Sequence, residues 1–62
     1  MPIKVRDLIK ELVKDGWGLD RQAGSHRIFK HPTKPNNVSV PGRDGQDVPT
    51  GTEKKIRKDA GI

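Results

Sequence analysis

The hydrophobic period of this chain changes along its length, and that restricts the folds open to it. Val5, Leu8, Ile9, Leu12 and Val13 recur at i, i+3, i+4, i+7 and i+8, which gathers them into one apolar stripe on an α-helix. Asp7, Lys10, Glu11 and Lys14 take the opposite side, and Gly16 stands where a left-handed residue would end the helix. From Trp17 the period becomes two. Trp17, Leu19 and Arg21 alternate with Gly18, Asp20 and Gln22, then Ala23-Gly24-Ser25 supplies turn chemistry before the run His26 to His31. That pattern predicts a β-hairpin. Pro32 withholds a ladder N–H and closes the second strand, Thr33 to Asn37 make another turn, and Val38-Ser39-Val40 before Pro41 makes a third, short strand. Beyond the polar, glycine-rich loop Gly42 to Asp47, Thr50 and Glu53 have the S/T-x-x-E spacing of a capping box. A second helix is predicted from there to about Ala60, with Gly61 as its stop. Its apolar side is thin, Ile56 and Ala60 with Ile62 beyond, while Lys54, Lys55, Arg57 and Lys58 make the rest basic.

The predicted fold is therefore α+β: helix, three antiparallel strands, helix, in two layers with both helices on one face of the sheet and the other face open. With 62 residues, the chain is expected to form a single domain, 1–62. A chain this short buries only about 60% of its extended surface on folding, so deep pockets are not expected. There is no Cys, and His26 and His31, separated only by Arg27 to Lys30, do not supply a four-ligand zinc site. No metal and no cofactor is expected, and apolar packing has to hold the fold. An absence of cysteine fits a cytoplasmic home better than a secreted one. No apolar run approaches the roughly 20 residues that span a bilayer, so no membrane association is expected.

Thirteen Lys and Arg against eight Asp and Glu leave a net charge of +5, which points to a polyanionic partner, a nucleic acid or an acidic protein. Candidate catalytic groups are few. The chain has no Cys, no Tyr, no H-E-x-x-H and no phosphate-cradling glycine loop, which leaves His26 and His31 as the side chains that ordinarily titrate near neutrality. His31, caught before Pro32, reads as a strand-end or packing residue, and Trp17, after a helix-ending glycine, as core. The direction of His26 depends on register. A three-residue loop, Ala23 to Ser25, pairs Gln22 with His26 and Leu19 with Phe29; this puts Trp17, Leu19 and Phe29 in the core and His26, Ile28 and Lys30 on the open face with Asp20 and Gln22. A two- or four-residue loop pairs Leu19 with Ile28 and turns His26 toward the helices. The first register, which buries the large aromatic pair, is preferred. In it the imidazole can take the proton of a ribose 2′-hydroxyl while Lys30 or Arg27 stabilises charge building on the phosphate.

Several segments together resemble the HicA toxin family of toxin–antitoxin systems: Leu8-Ile9, Lys14-Asp15-Gly16-Trp17, Arg21 to Gly24-Ser25-His26, Phe29-Lys30-His31-Pro32, Val38-Ser39-Val40-Pro41, Gly51-Thr52, Ile56 and Ala60-Gly61-Ile62. Gly-Ser-His alone is a weak signal; joined to the others in order over nearly the whole chain it is a strong one. The resemblance implies a double-stranded-RNA-binding-domain-like α-β-β-β-α fold. It also implies a metal-independent endoribonuclease that cleaves mRNA with one essential histidine and is neutralised by a HicB-type antitoxin. The family's histidine falls on His26 and its turn glycine on Gly24. Ser25, Arg27, Lys30, Lys54, Lys55 and Lys58 are the further RNA-contacting candidates. Two departures stand out. Gly42-Arg43 occupies the place where the family often has a second His or basic residue, and Glu53 and Arg57 replace leucines usual in the final helix. The latter change leaves three consequences open: a weaker fold, a wider RNA-contacting face, or a contact with a partner that compensates. The rival readings are a non-catalytic RNA-binding module or solitary HicA-like remnant, and an adaptor for an acidic protein.

Overall fold

A computed structural model describes residues 2–62. Its elements, in order, are β1 (Ile3–Lys4), α1 (Val5–Lys14), β2 (Gly18–Ala23), β3 (His26–Lys30), β4 (Val38–Pro41), β5 (Asp47–Val48) and α2 (Thr50–Ala60). The three-stranded antiparallel sheet has the order β2-β3-β4, and the helices pack principally on β4. The expected α+β, dsRBD-like order is present, with one addition. The two-residue strands β1 and β5 pair Ile3 with Val48 and Lys4 with Asp47, lashing the start of α1 to the segment before α2. A two-residue strand has too little periodicity to be read from sequence.

The apolar cluster takes Val5, Leu8 and Leu12 from α1, Trp17 from the turn after it, Phe29, Val38 and Val40 from the sheet, Val48 from β5, and Ile56 and Ala60 from α2. Ile9 packs at its margin. Val13, the last residue of the predicted stripe, is 55% exposed: it lies about 80° round the helix from Val5, on the far flank from Leu8. At the N-terminus of α1 the free amides of Val5 and Arg6 donate to the carbonyls of Gln46 (2.9 Å) and Asp44 (3.2 Å), so the loop between β4 and β5 supplies the cap that Lys4 does not. Its C-terminus closes as predicted. Gly16, at φ +108, donates to Val13 and Trp17 donates to Leu12, both at 3.0 Å, the paired bonds of a Schellman turn. That turn is what drops Trp17 into the core.

Two expectations are corrected. Thr50 is the first residue of α2 and not its cap; Pro49 occupies the cap position without a side-chain hydrogen bond, and the Glu53 carboxylate turns to Arg57 (2.8 Å). An available guanidinium one turn on outcompetes the neutral backbone amide a capping box would offer. Leu19, placed in the core from sequence, is 56% exposed. It does pair with Phe29, but β2 is an edge strand beyond the reach of helices that sit on β4, and the whole strand is exposed.

The departures Glu53 and Arg57 also find their explanation here. Arg57 forks onto Glu11 of α1 through Nη1–Oε1 (3.0 Å) and Nη2–Oε2 (2.9 Å) while its Nε binds Glu53. Ion pairing therefore fills the seam between the two helices that leucines would otherwise fill, and Arg57 is a fastener of the fold.

Candidate active site

Hairpin geometry places His26. Gly24 has φ +61, and no non-glycine residue among the described residues has positive φ, so Gly24-Ser25 is a two-residue turn with its left-handed residue first, the II′ form that suits right-twisted strands. The register is then Ala23 to His26, Gln22 to Arg27, Arg21 to Ile28, Leu19 to Phe29 and Gly18 to Lys30. The preferred three-residue loop is thus incorrect, yet its Leu19–Phe29 pairing holds. A bulge between Leu19 and Arg21 inserts Asp20 as an extra residue and absorbs the shift. The sequence offered the tight turn and the aromatic pairing as alternatives; the bulge admits both. It also moves Gln22 off the expected open face, to the side of Arg27.

On β3, Phe29 is buried and His26 and Lys30 are exposed, so His26, Ile28 and Lys30 share the open face as expected. Lys30 nevertheless stands four residues from His26, about 13 Å along an extended strand, with its Nζ 3.5 Å from Asp20 Oδ1. It lines a different hollow, with Gly16, Gly18, Leu19, His31 and Pro32. Arg27 pairs with Val40 across the ladder, on the helix side of the sheet, where its guanidinium bridges to Asp44. Neither cation proposed to assist His26 is therefore brought to it. Gly24 has open space where a Cβ would stand, and Ser25 uses its carbonyl to accept the Gly42 amide (3.0 Å).

What His26 does share is a cleft of about 430 Å³ between the edge of the sheet and α2, lined by Asn37, Ser39 and Pro41 from the β4 segment and by Thr52, Lys55, Ile56 and Asp59 from the helix. His26 lies opposite Pro41 in the ladder, at one end. Asn36 Nδ2 donates to the Asp59 carbonyl (2.6 Å), which fixes Asp59 near the other end. Lys54 and Lys58 are exposed on α2 outside the cleft lining, and none of the ion pairs among the described residues engages Lys54, Lys55 or Lys58. The sequence did carry a signal for this wall. Thr52, Lys55, Ile56 and Asp59 follow the i, i+3, i+4, i+7 spacing of one helical stripe, but of these the sequence singles out only Ile56, as core, and Lys55, for its charge.

The two histidines are chemically distinct. The His31 Nδ1 accepts the Thr33 amide (3.1 Å), which assigns the proton to Nε2, and Nε2 donates to the Asp15 carbonyl (2.8 Å). Its ring meets Trp17 edge-on at 5.2 Å, and both nitrogens are committed to the fold. Among the described residues, nothing hydrogen-bonds the His26 ring. Only His26 has a nitrogen free to exchange a proton with a ligand. The Trp17 indole is buried at 2% exposure, so it presents no face for base stacking. Lys34 is likewise occupied, donating to Asp15 Oδ2 and to the Ala60 carbonyl, both at 2.7 Å; its ammonium holds the Asp15 carboxyl below the ordinary carboxylate range. Among the described residues, no cluster of three or more His, Cys, Asp or Glu side chains is placed to hold a metal ion.

A family model described as the HicA toxin of bacterial toxin–antitoxin systems matches residues 5–62. The chain belongs to the HicA toxin family. No curated protein matches it. As a HicA-family toxin it implies a cognate antitoxin as its partner, and the segments on which the resemblance rested now have places: Gly16-Trp17 is the Schellman turn, Gly24-Ser25-His26 the hairpin turn and its flank, and Val38 to Pro41 the strand carrying one wall of the cleft. No helix among the described residues is long and apolar enough to cross a membrane.

Proposed function

We propose that this HicA-family toxin is an endoribonuclease that cuts mRNA with His26 as its proton-transfer group, acting in the cytoplasm and held in check by a HicB-type antitoxin. The observation that carries this reading is a solvent-exposed imidazole, unengaged within the described residues, on the wall of a cleft that also holds an unpaired ammonium. RNA brings its own nucleophile. His26 removes the 2′-hydroxyl proton, the 2′-oxygen attacks the adjacent phosphorus, the bond from phosphorus to the 5′-oxygen breaks, and a proton passes from imidazolium or water to that oxygen. The products are a 2′,3′-cyclic phosphate and a 5′-hydroxyl, and no metal is needed to balance the step. A single positioned acid or base is worth ~10² to 10⁴-fold, so slow turnover is expected. Phosphates would be held by Lys54, Lys55 and Lys58 with the Gly24-Ser25 turn close to the backbone, and sequence preference is weak because A-form RNA is read mainly by shape.

The test is incubation of purified protein with a defined RNA in excess chelator, beside His26→Ala. Cleavage by the parent and not by the variant, with salt-sensitive binding retained in both, is the expected result. Cleavage by the variant at the parent's rate refutes the assignment of His26. Binding without cleavage by the parent itself supports the rival module, which is favoured by one specific observation: Arg27 and Lys30 are tied to Asp44 and Asp20 and leave His26 without the cations first expected beside it.

A further inference from the structure

Resting on that reading, we propose that Lys55 holds the scissile phosphate beside His26, and that Lys54 and Lys58, although equal in charge and on the same helix, do not. The proposal rests on placement. Of the three α2 lysines only Lys55 lines the cleft containing His26. It stands beside Ile56, one helical turn before Asp59 on the same stripe, and Asp59 lies at the Asn37 end while His26 lies at the Pro41 end. A carboxylate repels a phosphodiester and an ammonium attracts it, so the phosphate seats between His26 and Lys55, away from Asp59.

The surroundings leave Lys55 available for this. Lys4, Arg27, Lys30, Lys34 and Arg57 are each within 4.0 Å of a carboxylate, which neutralises them toward an incoming polyanion, whereas no ion pair among the described residues includes Lys55. The hollow around Lys30 offers no equivalent pairing. Its imidazole, His31, already donates to Asp15 and accepts from Thr33, and its lysine is held by Asp20. Ser39, exposed between buried Val38 and Val40 on β4, and Thr52 of α2 both line the cleft; each is a neutral donor that can orient a phosphate already neutralised by Lys55.

Two measurements on the full chain test this separately from the role of His26. In the first, a short single-stranded RNA is titrated by fluorescence anisotropy against Lys55→Ala, Lys54→Ala and Lys58→Ala, each in the His26→Ala background so that no cleavage intervenes. A hydrogen bond to a charged group is worth ~1.5 to 3 kcal/mol. Lys55→Ala is therefore expected to weaken binding on the order of 10- to 100-fold, against about fivefold or less for the other two, whose contacts are to flanking phosphates outside the cleft and stay solvated. In the second, the same substitutions in the parent are assayed for cleavage, with Lys55→Arg expected to restore most of the rate because it restores the charge at that place. Equal losses of affinity for all three alanine variants overturn the proposal, whatever the cleavage assay gives. A Lys55-specific loss of affinity together with undiminished cleavage by His26→Ala keeps the phosphate site and removes the reading of His26. Unchanged thermal unfolding of Lys55→Ala is expected from its exposure and excludes a merely structural effect.

Discussion

Removing Arg57 tests whether charge has replaced apolar packing between the helices. Its guanidinium makes two near-parallel bonds to Glu11, at 3.0 and 2.9 Å, and a third to Glu53 at 2.8 Å. These side chains are 28%, 45% and 22% exposed for Arg57, Glu11 and Glu53 respectively, so water screens them, and each pair belongs near the ~0.2 to 1 kcal/mol of measured surface pairs. Forked geometry and a shared cation move the Glu11 pair toward the top of that range. A double-mutant cycle of Glu11→Gln and Arg57→Met should therefore return a coupling of about 1 kcal/mol at low salt, a sizeable part of the ~3 to 5 kcal/mol available to a core this small.

Two controls follow from the cause. The Debye length shrinks from ~10 Å at 0.1 M salt to ~3 Å at 1 M, so the coupling should fall with salt. The hydrogen bond from Arg57 holds the Glu11 carboxyl below its ordinary value of 4.5. A group whose pKa is depressed by folding stabilises fully above its unfolded value and loses that contribution as pH falls through the folded value. The coupling should be constant from neutrality down to the ordinary carboxylate range and vanish in more acid solution. Urea unfolding monitored by Trp17 fluorescence measures all four corners. A coupling indistinguishable from zero at low salt, or one indifferent to both salt and acid, would show that the seam is held by the aliphatic stems alone.

Gly16→Ala and Gly18→Ala form a matched pair. The first places a methyl 2.8 Å from His31 Nε2 on a backbone at φ +108, whereas the second meets nothing within 4 Å, so Gly16→Ala should lose ~2 to 4 kcal/mol in chemical denaturation and Gly18→Ala less than ~1; equal effects would refute the Schellman-turn account. His31→Ala removes a ring that packs on Trp17 and bonds Thr33 and Asp15 and should destabilise by ~1 to 3 kcal/mol, while RNA cleavage per folded molecule, measured well below the melting temperature, stays at the parent's level. A catalytic loss matching that of His26→Ala would refute the division of roles between the two rings.

Sequence legibility followed the strength of local signals. The stripe from Val5 to Leu12, the glycine after it, the strand Val38 to Pro41 and the stop at Gly61 all declare themselves by period or by turn chemistry, and each is found. What failed depended on pairing between distant residues. Leu19 has the alternation of a half-buried strand, and nothing local says that β2 lies at an edge the helices do not cover. Thr50 and Glu53 have capping-box spacing, and nothing local says that Arg57, committed to Glu11 on another helix, takes the carboxylate first. His26 was legible as an exposed imidazole; its neighbours were not, because Lys55 reaches its cleft across a fold-level gap of twenty-nine positions.

Charge shows the same division and explains why composition overstated the help available to His26. A net charge of +5 counts each lysine and arginine alike, but the acids are not spread evenly among them. Asp20 sits on the bulge facing Lys30, Asp44 in the loop facing Arg27, Asp15 beneath Lys34, and Glu11 and Glu53 around Arg57. Apart from Glu53–Arg57, which lies within α2, each of these pairs ties one segment to another, so these cations serve the fold. The unpaired positive charge lies mostly on the exposed helix flanks, Arg6, Lys10 and Lys14 on α1 and Lys54, Lys55 and Lys58 on α2, with Arg21 on β2 and Arg43 in the loop after β4; none of these eight is in an ion pair among the described residues. Of these flanks only that of α2 borders the free imidazole. A polyanion drawn in by the net charge therefore meets unneutralised cations on both helices, and reaches a group able to move a proton only where α2 faces β4.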